Sequence, residues 1–202
     1  LLIVDVQNDF CHEDGAFSLH RKVDLTHARN AVSALLLFAD EVRKLGIPVL
    51  FIRTVHSEWT DSPSWLGRMK GNAEEMHICV PGSWGSEFYR VTPAKSDCVI
   101  TKHRYSGFFG TDLDLILRSR GIETLLIAGL VTNVCVESTV RDGFNRDYNI
   151  ILVEDCCGAF DVREHEAAVH NIASYFGGVA ESNTVLDILK NRCGMGVSDE
   201  TA

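Results

Sequence analysis

No Cys-x-x-Cys pair occurs in this sequence, although it holds seven cysteines: Cys11, Cys79, Cys98, Cys135, Cys156, Cys157 and Cys193. Their odd number and irregular spacing argue against a disulfide framework or a structural zinc site, and make a reducing cytoplasm the expected setting. No apolar run approaches the roughly 18 residues of a membrane helix. No signal peptide is visible either, though the chain starts at Leu1, without an initiator Met, inside an apparent strand. Basic residues are in deficit, 19 Lys and Arg against 28 Asp and Glu for a net charge of −9, so a nucleic-acid partner is not expected. After the first apolar run comes "DVQNDF", with none of the glycines that cradle a phosphate, which argues against a flavodoxin-like cofactor binder. Internal repeats, low-complexity segments and linkers are absent as well, so residues 1–202 are expected to form a single domain.

What is present is a regular alternation. The 46% hydrophobic and 23% charged residues are those of an ordinary globular protein, and 202 residues can build one core without staples. The apolar run LLIVDV (1–6) precedes a polar loop from Gln7 to about Lys22. From Asp24, Ala31, Leu35, Phe38, Val42 and Leu45 recur at helical spacing, with Gly46 as a C-terminal cap. Strands are then expected at PVLFIRT (48–54), CVIT (98–101), TLLIAGL (124–130) and NIILVED (149–155), with a short GGVAES piece near the end. Between them lie helices over TDLDLILRSRG (capped by Thr111), over the residues after Cys135, from about Val162 to Phe176, and over TVLDILKN. Residues 55–95 are irregular and hold Trp59, Trp65 and Trp84; loops of that length are commonly lids or binding loops. Strands alternating with helices, without hairpin signals, predict an α/β fold: three layers, α/β/α, around a mostly parallel sheet of five to six strands.

Open parallel sheets bind ligands beyond the carboxyl ends of their strands. That rule selects Asp5 after the first strand, Lys102 after CVIT and Cys135 after TLLIAGL. An acid, an amine and a thiol together suggest covalent catalysis. A following helix N-terminus and a nearby ammonium would favour the Cys135 thiolate. Asp5, set among Leu2, Ile3, Val4 and Val6, would be a costly charge unless paired, and Lys102 is the natural partner. Each residue also has a plainer reading: a small apolar core residue for Cys135, a turn or cap residue for Asp5, a solvated basic patch for Lys102 with His103 and Arg104.

The segments "LLIVDVQNDF" (1–10), "PGSWGSEF" (81–88), "KHRYSGFFGTDLD" (102–114) and "GLVTNVCVESTVRDGF" (129–144) together resemble the cysteine hydrolases of the isochorismatase-like superfamily. The resemblance implies Asp5 as general base and acid, Lys102 as the thiolate-stabilising lysine and Cys135 as nucleophile. It further implies a cis peptide at Leu130–Val131 and an oxyanion hole from the amides of Val131 and Cys135. Among family members, vinyl-ether-cleaving isochorismatases generally lack the cysteine. Nicotinamidases carry an Asp-x-His…His metal site, which "RTVHSEWTDSPSW" lacks apart from His56, so neither metal nor cofactor is expected. The likeness is closest to ureidoacrylate amidohydrolases and related ureide or carbamoyl-amide hydrolases, although "EDCCGAF" departs from their pattern.

That resemblance implies a small ureido or carboxamide substrate, ammonia release, a homodimer or homotetramer, and no nucleic-acid or membrane partner. Alternatives are a non-catalytic binding member of the same fold or a vinyl ether hydrolase. Phe10, Trp84, Tyr105 and Phe108 are candidate pocket walls; Gln7, Asn72 and Arg104 are candidates for holding polar substrate groups. His165 and His170, five apart and therefore about 140° from each other around a helix, read as ordinary helix-surface residues.

Overall fold

The computed structural model describes residues 1–67 and 77–195. Six strands form one sheet: β1 (Leu2–Val4), β2 (Leu50–Thr54), β3 (Cys98–Lys102), β4 (Thr124–Leu130), β5 (Asn149–Gly158) and β6 (Gly178–Ala180). Their order is β3-β2-β1-β4-β5-β6, and every neighbouring pair is parallel. The chain therefore builds outward from β1 to one edge, then returns to start the other half at β4. Helices follow on both faces, as parallel pairing demands, since each crossover must pass over the sheet. They are α1 (Asn8–Cys11), α2 (Ala16–Arg21), α3 (Thr26–Lys44), α4 (Pro63–Gly67), α5 (Leu113–Ser119), α6 (Glu137–Phe144), α7 (Val162–Tyr175) and α8 (Ser182–Met195). None of them is long and apolar enough to cross a membrane.

The strands at the centre are buried on both faces: Ile3, Val4, Phe51, Ile52, Ile127 and Ala128 have essentially no exposure. That explains why they read as continuous apolar runs rather than alternating ones. α3 covers one face with Ala28, Ala31, Val32, Leu35, Phe38, Ala39 and Val42, the stripe its spacing foretold. Gly46 ends it with φ 73°, a left-handed turn that a side chain would strain, and donates its N–H to the Arg43 carbonyl at 2.9 Å.

Gly129 makes the join between the two halves of the sheet. A Cβ there would sit 2.1 Å from the Val4 carbonyl oxygen, and its φ is 121°. Only glycine lets β4 come this close to β1, and the β4–β5 register shifts at the same point, between Ile127 and Gly129.

Three boundaries differ from expectation. Gln7 to Lys22 is not an irregular loop but carries α1 and α2, whose few turns are too short to show a helical period. β5 runs on through Cys156 and Cys157 to Gly158, because both cysteines are buried against the sheet. Before α6, residues Thr132–Val136 form a π-helical turn, so Cys135 lies inside a wide turn and not at the first residue of an ordinary helix.

Candidate active site

The sheet's switch point lies between β1 and β4, where successive connections depart in opposite directions and leave a crevice at the carboxyl edge. Asp5 follows β1 there with φ 51°, an uncommon conformation for a non-glycine residue. Its N–H donates to the Ile52 carbonyl at 2.8 Å, and its carbonyl accepts from Gln7 N–H at 2.9 Å. Lys102, the last residue of β3, reaches past β2. Its Nζ donates to Asp5 Oδ2 at 2.7 Å, to the Arg104 carbonyl at 3.1 Å and to Cys135 Sγ at 3.5 Å. Three partners use all three hydrogens of the ammonium.

Both charges are fully withdrawn from water, Lys102 at 0% exposure and Asp5 at 1%. Burial raises the Asp5 carboxyl above its usual range, opposed first by the Lys102 charge and then by the Cys135 side chain. For Lys102, burial works against the ammonium, but the Asp5 and Cys135 charges overcome it and hold the group protonated. Burial likewise pushes the Cys135 thiol up; Lys102 pulls it down and Asp5 adds to the rise. The net direction is toward the thiol, because burial outweighs the pull of the Lys102 ammonium. The same ammonium thus opposes the effect of burial on both Asp5 and Cys135.

Of the three, Cys135 alone lines the adjoining cavity of about 290 Å³. Asp5 and Lys102 stand behind it. The walls are largely apolar, with Phe10, Phe17, Trp65, Tyr105, Val131 and Phe160, and polar groups come from Arg21, Thr54, His56, Asn133 and Glu164. His56 Nδ1 meets Asp61 Oδ1 at 2.9 Å, and its ring stacks on Trp65 with centroids 5.2 Å apart. Among the described residues, no group of three His, Cys, Asp or Glu side chains is placed to hold a metal ion.

The turn bearing Cys135 is anchored at several points. The Val131 carbonyl accepts from Val134 N–H at 3.0 Å and Val136 N–H at 3.3 Å. Thr139 Oγ1 donates to the Cys135 carbonyl at 2.7 Å and accepts from Gly107 N–H at 2.9 Å. Thr132 Oγ1 meets His165 Nδ1 at 2.9 Å, and Asn133 Nδ2 donates to Glu164 Oε2 at 3.0 Å. The Leu130–Val131 peptide bond, at the start of this segment, is cis.

Phe10 and Tyr105 line the cavity; of the other substrate candidates among the described residues, Gln7, Trp84, Arg104 and Phe108 do not. Gln7 is buried, and its amide is consumed by backbone: Nε2 donates to the Thr54 and Ser86 carbonyls, and Oε1 accepts from Thr54 N–H. Arg104 Nη1 donates to the Thr60 and His103 carbonyls, with its guanidinium 4.9 Å from the Trp65 ring centroid, so it ties loops together. Phe108 is a core residue stacked on Tyr148, and Trp84 lies outside the cavity, edge-on to the His12 ring. Asn72 lies outside the described residues. His165 is not an ordinary surface residue: it is half-buried against His27 (centroids 4.6 Å apart), whereas His170 is exposed.

Arg21, Phe17, Phe160 and Glu164 were not legible as cavity residues. They come from α2, the segment before α7 and α7 itself, and only the fold brings these together.

The isochorismatase domain family model matches residues 1–184. The chain is 36% identical over 195 residues to the ureidoacrylate amidohydrolase RutB of Methylobacterium radiotolerans, covering 90% of this chain and 75% of that relative. Among solved structures, a cysteine hydrolase from Pseudomonas syringae pv. phaseolicola 1448A superposes with a TM-score of 0.83 at 25% identity, covering 94% and 91% of the two chains. The N-carbamoylsarcosine amidase of Thermoplasma acidophilum does so with a TM-score of 0.72 at 31% identity, covering 90% and 95%.

Proposed function

The chain belongs to the isochorismatase family, and from that premise we propose that it is a cysteine-dependent amidohydrolase that cleaves a C–N bond of a small ureido, carbamoyl or carboxamide substrate. The observation that carries this reading is the placement of Lys102 Nζ between Asp5 Oδ2 (2.7 Å) and Cys135 Sγ (3.5 Å), behind a cavity onto which Cys135 alone of the three opens.

The substrate carbonyl enters the cavity against Cys135. Asp5 accepts the thiol proton as sulfur attacks the carbonyl carbon, and Lys102 balances the charge that moves from carboxylate to sulfur to oxyanion. The amides of Val131 and Cys135 are assigned as the oxyanion donors; one such donor is typically worth about 3 kcal/mol of barrier. The C–N bond then breaks, and the proton held by Asp5 goes to the departing nitrogen, which leaves as ammonia. Water, deprotonated by Asp5, attacks the thioester, and the regenerated sulfur recovers its proton. General acid–base transfer of this kind contributes about 10²- to 10⁴-fold.

Cys135→Ala and Cys135→Ser proteins are expected to fold normally and release no ammonia from ureido or carboxamide substrates. Substantial retained turnover overturns the nucleophile assignment. Mass spectrometry of trapped wild-type enzyme should find an acyl adduct on Cys135. The working form is proposed to be a single domain spanning residues 1–202, assembled as a homodimer or homotetramer in the cytoplasm, using neither metal nor cofactor.

A further inference from the structure

Arg21 ends α2 and lines the same cavity as Cys135, yet it makes no ion pair among the described residues. Its guanidinium carbon lies 5.4 Å from the centroid of the Phe17 ring. That ring is itself fixed, stacked on Phe160 at 5.0 Å and tilted against Phe10 at 5.1 Å. The Arg21 side chain, itself exposed, thus lies over an aromatic wall of the cavity. A guanidinium beside apolar rings is matched by a planar anion, which it can hold with two parallel charge-assisted hydrogen bonds.

The other cationic candidates do not serve. Lys102 is buried behind Cys135 and bound to Asp5; Arg104 is bound to loop carbonyls; His56 is engaged with Asp61. Glu164 supplies the complementary sign from a different element, with its Oε2 accepting from Asn133. Cavity polarity is therefore mixed: an acid to meet N–H groups and a cation to meet an anion. Ureido acids carry both.

We propose that Arg21 is the specificity-determining residue that reads a carboxylate at the far end of the substrate, so the preferred substrates are anionic ureido acids rather than neutral ureides or amides. The assignment rests on Cys135 being the reacting group of this cavity. Arg21 touches neither the thiol nor its partners in the structure, so its loss should weaken binding and leave the bond-breaking step intact.

The test compares N-carbamoylglycine with its uncharged methylamide. Arg21→Gln should raise KM for the acid by about 10- to 100-fold, the usual range for losing a charge-assisted pair, with kcat within about threefold. KM for the methylamide should stay within about twofold, and Arg21→Lys should recover part of the loss. An equal effect on both substrates, or none on the acid, overturns the proposal while the hydrolase reading stands. Calorimetric binding of the same two compounds to Cys135→Ala protein, with and without Arg21→Gln, needs no turnover. If the wild-type enzyme cleaves neither compound, the hydrolase reading fails for this class. Arg21-dependent binding of the acid would then still support the carboxylate assignment, and Arg21-independent binding would overturn it.

Discussion

At the scale of single residues, the buried Asp5–Lys102 pair is the most consequential feature. Two charges excluded from water stabilise little between them, but each is costly without the other. Lys102→Met should therefore lower stability by about 3–5 kcal/mol in denaturant unfolding, because it strands Asp5. Adding Asp5→Asn should recover much of that stability and none of the activity. If the double variant is no more stable than Lys102→Met, charge burial is not the reason the pair matters. These residues were legible because each stands where an apolar run stops, and an ionisable group at a strand's carboxyl end implies a partner. Gln7 and Arg104 misled for the converse reason. Their partners are carbonyls of Thr54, Ser86, Thr60 and His103, and a backbone acceptor leaves no mark on a sequence.

At the scale of elements, the turn carrying Cys135 depends on α7. Thr132, fully buried, meets His165 Nδ1 at 2.9 Å. His165 borders a second cavity of about 230 Å³ lined also by His27, Asn30, Glu154, Asp155 and Cys157. Burial, and secondarily His27, lowers the His165 pKa from 6.5 to about 4. A folded-state pKa below the unfolded value means the unfolded chain binds the proton first as pH falls. The stability contributed is present above about pH 6.5 and is lost as pH drops toward about 4. His165→Gln, which keeps a hydrogen-bonding group for Thr132 but does not titrate, should flatten thermal stability across that window. A variant whose midpoint still falls as steeply as wild type would remove His165 as the source. Helical spacing alone could not reveal this: it places His165 and His170 on different faces without saying which face meets a neighbouring turn.

At the scale of the whole molecule, the order β3-β2-β1-β4-β5-β6 puts β1 and β4 next to one another, with Asp5 and Cys135 beyond their carboxyl ends and Lys102 reaching in from the edge strand β3. Tyr175, Phe109 and Leu115 remain largely exposed, at 70%, 62% and 69%, leaving apolar surface on the single chain. Light scattering coupled to gel filtration should return a mass of two or four chains for the proposed assembly. A mass of one chain across micromolar concentrations refutes it.

The sequence by itself determined the α/β class, the succession of the six strands and the longer helices, and the three ionisable residues at strand ends, because burial periodicity and strand termini are local properties of the chain. It also carried enough likeness to point to the family. Which strands neighbour one another, which side chains are spent on backbone, and which of Arg21 and Arg104 faces the cavity were decided only by tertiary structure. Those outcomes depend on contacts between residues tens of positions apart, where a bond to a distant carbonyl and an open approach to a cavity look alike until the chain has folded.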